Sequence, residues 1–361
     1  MARRDPWFDN AKMALIVLVV IGHLWSLLPA ATTGTAAGTN TNAWLYDWLY
    51  MWHMPAFVLL SGYLSRSFTW TRERLSSVVT TLLVPYVIFQ VGLSTMQWCL
   101  GWGWPERVLL DPVWPLWYLL ALAAWRLVTP VFRRLPGWLA LSLAVVISLY
   151  GGTLDVEAFS IPRILGMLPF FVLGLVATPE AIAAIRTHAM RFFSVGCLIL
   201  ALVVTRRLDD WAGTYWLYLR PYEILESTTR EGVEIRATLL LLSLGCALGA
   251  LSLVPGTDGW FARLGTATMV VFLLHGVVIR GLDAGGVMHW TVGHDGLGRV
   301  FVVLLGIAIS LALAAPPTVR RVGWLVDPVG WAREEVRRAV ELSMVVRDGC
   351  SDVVPERERV H

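Results

Sequence analysis

An all-α, polytopic membrane bundle of about ten transmembrane helices is the fold this sequence predicts, and three observations carry that expectation. The 361 residues are 57% hydrophobic and only 15% charged, whereas a soluble globule typically carries about 25% charged residues. Mean hydropathy is +0.64. Apolar runs near the bilayer-spanning length of about 20 residues recur along the chain. Nineteen Trp fit the same picture, because indole favours membrane interfaces.

Taken in order, the runs lie near 11–28, 44–64, 77–100, 113–132, 137–151, 161–177, 192–205, 236–254, 264–281 and 298–315. Pro55, Pro85 and Pro169 fall within or near them, where kinks are tolerated if neighbours line a cavity. Charge bias between the runs agrees with a cytoplasmic N-terminus. Alternate connections hold Arg3, Arg4 and Lys12, then Arg66, Arg72 and Arg74, then Arg133 and Arg134, then Arg186 and Arg191, then Arg263. The opposite connections at 29–43, 101–112 and 151–160 hold Arg107 alone. The 206–235 segment mixes Arg206, Arg207, Arg220 and Arg230 with six carboxylates, and long loops are weak topology signals. An even number of spans returns the C-terminus to the cytoplasm, beside Arg320 and Arg321. The organisation expected is a transmembrane domain over 1–316 and a cytoplasmic polar tail over 317–361. Within the tail, 330–346 is patterned as a surface amphipathic helix. Arg3 and Arg4 before an apolar run mimic a secretory leader, but the run is long, is interrupted by Lys12 and His23, and precedes many more.

A net charge of +3 without basic–aromatic interleaving excludes a nucleic-acid partner, and the cysteines (Cys99, Cys197, Cys246, Cys350) show neither metal-ligand nor disulfide spacing. No metal is expected.

The first run holds two ionisable groups, Lys12 and His23. Eleven residues at about 100° each bring them to within about 20° of one helix face, roughly 16 Å apart along the axis. Such groups are costly in a bilayer and usually face a bundle interior or a water-filled path. His53 and His275 also fall within runs; counted from the inner ends, all three histidines lie about 11 or 12 residues deep and so at a similar level. Each alone is as readily a helix–helix hydrogen bond. Ser61 and Gly62 permit close helix approach or backbone contact with a ligand. Arg72 and Arg74 mark an inner face or hold phosphates. Trp114, Trp117 and Tyr118 read as an aromatic belt at the outer interface.

The pattern Asp9-x-x-Lys12-x10-His23, the run His53-Met-Pro-Ala-Phe57 with Ser61-Gly62-Tyr63, the Arg72/Arg74 segment leading to Pro85-Tyr86, the Leu116-Trp117-Tyr118 start and the Phe272-Leu-Leu-His275 run together resemble the membrane O-acyltransferases of acyltransferase family 3, in particular its fucose 4-O-acetylase-like members. The resemblance covers roughly residues 5–315. It implies transfer of an acyl group, commonly acetyl, from cytoplasmic acyl-CoA to a hydroxyl of a glycan or other cell-envelope acceptor by a stand-alone enzyme of the cell membrane. His23 is the expected general base, poised near neutral pH. Lys12 is grouped with His23 as catalytic and also, with Arg72, Arg74 and Ser61, among the expected donor-binding residues, and His53, Trp117, Tyr118 and His275 are the substrate-site candidates. Where the family often has Arg, Lys12 keeps the charge without the bidentate fork. A competing expectation from the residues alone is a proton-coupled transporter or flippase, against which stands the near absence of Asp and Glu within the runs; a non-catalytic membrane partner is a third.

Overall fold

A computed structural model describes residues 5–29, 31, 40–154, 156, 158–207, 221–222 and 228–351. Most of the 206–235 segment, including Asp209, Asp210, Arg220, Glu223 and Glu226, lies outside them, as do Arg3, Arg4 and the chain beyond 351. All regular structure among the described residues is helical.

Polar caps start the first helices. Asp5 accepts from the Trp7 amide and Pro6 opens helix α1 (Pro6–Trp25), since proline suits a first turn whose amides lack partners. Asn40 accepts from the amides of Asn42 and Ala43 to start α2 (Thr41–Leu64). A third crossing is built from α3 (Arg72–Val78), a π turn over Val79–Leu83 and α4 (Val84–Cys99); the widened turn sits just ahead of Pro85, whose ring would clash with a regular preceding turn. Helices α5 (Trp117–Phe132) and α6 (Gly137–Gly151) follow. The next crossing is broken: α7 (Ile161–Gly166) and α8 (Leu168–Val176) meet at 54°. A short α9 (Pro179–Ile185) leads to α10 (His188–Arg207), and a reciprocal Thr228/Glu231 cap starts α11 (Thr229–Ser252). Then α12 (Trp260–Leu264) runs through a single 3-10 turn into α13 (Thr268–Ala284), followed by α14 (Asp295–Ala314). The tail forms α15 (Pro316–Val326) and α16 (Pro328–Ser351), which carries i,i+3 and i,i+4 Arg–Glu pairs around Glu334, Arg337 and Arg338. It packs back against the π turn.

Each predicted run coincides with helix, yet the count of ten spans is not confirmed. Among the described residues, six helices are long and apolar enough to cross a bilayer, or seven with the α7–α8 pair. Helices α5 and α6, at 16 and 15 residues, fall short of that length, and the first half of α2 is interrupted by Asn42, Asp47 and tyrosines. Large apolar side chains face outward, among them Phe192, Leu241 and Trp138 at 81%, 73% and 72% exposed, as lipid-facing surface requires. This is a multi-pass membrane protein.

Helix α1 is the hub, packed against α2, α12, α13 and α14. Glycines allow the tightest of these approaches. A Cβ on Gly265 would lie 2.1 Å from the Asp9 carbonyl oxygen, and one on Gly306 2.7 Å from Ile21. The same device joins α2 to α8: a Cβ on Gly62 would lie 2.0 Å from the Phe171 carbonyl oxygen, and one on Gly174 1.9 Å from that of Leu59. Gly62 is thus a packing residue. Many tryptophans do more than form an interfacial belt. The indoles of Trp25, Trp44, Trp48 and Trp125 donate to the backbone carbonyls of Asn42, Leu202, Leu198 and Ile164, satisfying groups that lipid cannot.

Candidate active site

His23 occupies the last turn of α1, nearer the helix end than its run suggested, because the helix starts at Pro6 and stops at Trp25. Its neighbours come from three other parts of the chain. The Tyr50 hydroxyl lies 3.2 Å from His23 Nδ1. The His275 ring stacks against the imidazole at 5.3 Å between centroids, and Trp114 packs edge-on at 4.3 Å. His53, one turn along α2 from Tyr50, packs edge-on against that tyrosine at 4.6 Å. The three histidines therefore do meet at one level, as their depths predicted.

They are held in defined orientations. His53 Nδ1 is 2.8 Å from the Leu49 carbonyl oxygen and His275 Nδ1 is 3.0 Å from that of Val271. A carbonyl oxygen only accepts, so in both rings Nδ1 carries the proton and Nε2 keeps its lone pair. His275 Nε2 is buried without a hydrogen-bond partner among the described residues. No three His, Cys, Asp or Glu side chains among those residues are grouped to hold a metal ion.

A cavity of about 110 Å³ opens beside this cluster, and its walls include His23, Tyr50, His53, Trp114, Tyr118 and Arg163. Trp117 also lines it, whereas His275 and Ser61 stand behind the wall. Ser61 Oγ lies 2.5 Å from the Tyr118 hydroxyl, so its evident role is to orient that phenol. Tyr118 is boxed in by Phe57, Trp125 and Phe272.

Trp114 reaches His23 through an unusual backbone. Its φ is +30°, a conformation non-glycine residues seldom adopt. The loop before it is stapled from within the bundle by Gln90 of α4. The Gln90 amide nitrogen donates to the carbonyls of Val108 and Asp111, and its oxygen accepts from the Val113 amide at 2.8 Å. Tyr86 adds a bond to the Leu109 carbonyl at 2.8 Å. Arg280 lies between the rings of Trp114 and Trp102, 4.7 and 4.4 Å from their centres.

The basic residues singled out in the sequence do not gather in this cavity. Lys12 is ion-paired with Asp9 at 2.7 Å, one turn away on α1. Arg72 lines a separate, larger cavity of about 550 Å³ together with Glu73, Asp327 and Arg333, and Arg74 is exposed beside the Thr71 cap of α3. Arg126 of α5 stands within electrostatic range of both Tyr118 and Arg74. The sequence reading missed Tyr50, Arg126 and Arg163, and took Trp114 for an interfacial residue. Tyr50 was findable, three residues before His53 on the same face; so were Arg126 and Arg163, as arginines inside apolar runs.

A helical membrane bundle whose hub helix delivers a histidine to a buried, aromatic-walled cavity is the frame of a membrane enzyme. The comparisons name the class: the chain matches the acyltransferase domain family over residues 5–318, and it belongs to acyltransferase family 3. It is accordingly a membrane O-acyltransferase, which sets aside the transporter expectation. Two curated relatives are both called nodulation protein NolL. That of Sinorhizobium fredii is 27% identical, with 91% of this chain and 90% of the relative covered. That of Mesorhizobium japonicum is 25% identical, with 89% of each covered. No solved structure matches the chain.

Proposed function

We propose that the enzyme moves an acyl group, most simply acetyl, from cytoplasmic acyl-CoA to a hydroxyl of a cell-envelope glycan, with His23 as general base. The observation that carries this reading is the Tyr50–His23 contact inside the cavity. Tyr50 also hydrogen-bonds Tyr46. When Tyr50 donates to Tyr46, its oxygen accepts from His23 Nδ1–H, and Nε2 keeps a lone pair for the acceptor hydroxyl. The acceptor oxygen then bonds to the thioester carbon while its proton passes to Nε2; the C–S bond breaks, and the thiolate leaves with that proton.

Tyr118, fixed by Ser61, and His53 line the volume where the acyl group and acceptor hydroxyl would meet. His275 packs behind His23 and limits its ring rotation. For the donor's phosphates the reading uses Lys12, Arg72 and Arg74, with Arg126 of α5 as a further cation. Asp9 already neutralises Lys12, so Arg74 and Arg126 carry the larger share. This reading puts both termini in the cytoplasm and the enzyme in the cell membrane. The test is label transfer from [14C]acetyl-CoA to a cell-envelope extract by purified protein in lipid nanodiscs. Label in the saccharide or glycolipid fraction, lost in His23→Ala, is the expected result; a fully active His23→Ala would remove the general-base role.

A further inference from the structure

Acyl transfer needs a place for negative charge. When a hydroxyl oxygen adds to a thioester, the carbonyl oxygen becomes an oxyanion, and donors aimed at it in a dry site are usually the largest single catalytic factor. Histidines aside, one titratable cation lines the cavity among the described residues: Arg163. Its guanidinium carbon lies 5.6 Å from the Trp117 ring centre, and its charge reaches both His23 and Tyr50.

The backbone around Arg163 is built to present it. Phe159 and Ser160, just before α7, both have φ of 56°, a left-handed conformation that is costly for non-glycine residues and clusters at functional sites. Three residues after Arg163 the helix ends, and the α7–α8 break follows. Irregular backbone at membrane depth is tolerated where it lines a cavity and its freed groups are satisfied. Here they are. The Trp125 indole donates to the Ile164 carbonyl at 3.0 Å, and Ser148 Oγ donates to that of Gly166 at 2.9 Å. The fully buried Arg236 of α11 donates in turn to the Ser148 carbonyl at 2.7 Å. The short helix bearing Arg163 is thereby tied to α5 and α6, and α6 in turn to α11.

We propose that Arg163 is a catalytic residue whose guanidinium stabilises the oxyanion formed beside His23; the proposal rests on the acyl-transfer reading above. As the acceptor oxygen bonds to the carbonyl carbon, the C=O π pair moves onto the oxygen facing Arg163. Its return expels the CoA thiolate, which takes the proton held by His23 Nε2. Every atom in the sequence comes from donor, acceptor and His23.

The test uses the full chain in nanodiscs, [14C]acetyl-CoA as donor and envelope extract as acceptor. Arg163→Met is expected to lower kcat about 10²–10³-fold while the KM for acetyl-CoA stays within about threefold. Arg163→Lys should fall between Met and wild type, and methylguanidinium should restore part of the rate to Arg163→Gly, which a merely structural role would not allow. Thermal unfolding of each variant reports whether it is folded; should the Gly variant unfold, the Met and Lys variants decide. An Arg163→Met enzyme with near wild-type kcat, or one impaired only through KM, overturns the oxyanion role and leaves the acyl-transfer reading intact. Wild-type protein that moves no label overturns both.

Discussion

The histidine-lined cavity and the basic surface around Arg72 and Arg74 both hold polar groups, but they hold them differently. Around the cavity each ring has an assigned partner: His53 on Leu49, His275 on Val271, His23 on Tyr50, Tyr118 on Ser61. At the other end, Arg72 and Arg74 are exposed and Lys12 is shared with Asp9. Fixed dipoles suit a transition state, whose charge appears at one point and needs no reorganisation of its surroundings. Mobile cations suit a polyanionic cofactor that must arrive and leave. The two zones should therefore fail in different kinetic parameters.

The largest effect should come from the cavity. His23→Ala is expected to lower kcat by about 10²–10⁴-fold with little change in acetyl-CoA KM; a rise in KM alone would mean that the cavity binds donor and does no chemistry. Tyr50→Phe keeps the ring packing and removes one hydrogen bond, so kcat should fall about tenfold, the equivalent of roughly 1.4 kcal/mol. A Tyr50→Phe enzyme as impaired as His23→Ala would show that the phenol itself takes part in proton transfer. On the basic surface, Arg74→Ala should raise acetyl-CoA KM several-fold, on the order of 1 kcal/mol for an exposed charge, with kcat unchanged. The smallest effect is expected of Lys12→Met, a KM change of about twofold, because Asp9 already occupies the ammonium. Were Lys12→Met the worse of the two, the donor's phosphates would lie along α1 and displace Asp9 on binding. Raising ionic strength sharpens the contrast, since screening should raise KM for the donor and leave kcat alone.

Counting residues made the similar depth of His23, His53 and His275 legible in the sequence, because depth along a regular helix follows from its rise; that they converge laterally is set by how α1, α2 and α13 pack. The Asp9–Lys12 pair, at an i,i+3 spacing that favours it, was not part of the sequence reading, which gave Lys12 to catalysis and the donor. Trp114 and Arg163 were not legible, since a φ of +30° and a broken helix deliver them, and no periodic pattern encodes where irregular backbone points a side chain. Gln90 escaped attention because its partners are backbone atoms of a distant loop. The number of crossings was the least secure reading. Short α5 and the polar first half of α2 are sheltered by neighbours, so tertiary packing stands in for hydropathy, whereas α6 exposes Trp138, Val146 and Tyr150 and falls short on length alone.

The meeting of α2 with α8 at Gly62 and Gly174 has a consequence for how this enzyme can vary. Helix α2 carries Tyr50 and His53, and α8 continues from the segment that carries Arg163. Their separation is set by backbone touching backbone, with no side chain between. It is a distance with a floor: substitution at either glycine can only widen it, so active-site width can drift in one direction and never recover by compensation at that contact. Under the proposed acyl-transfer reading, variation in acceptor size is consequently easier to accommodate on the Trp114 side, where a stapled loop can be reset one hydrogen bond at a time.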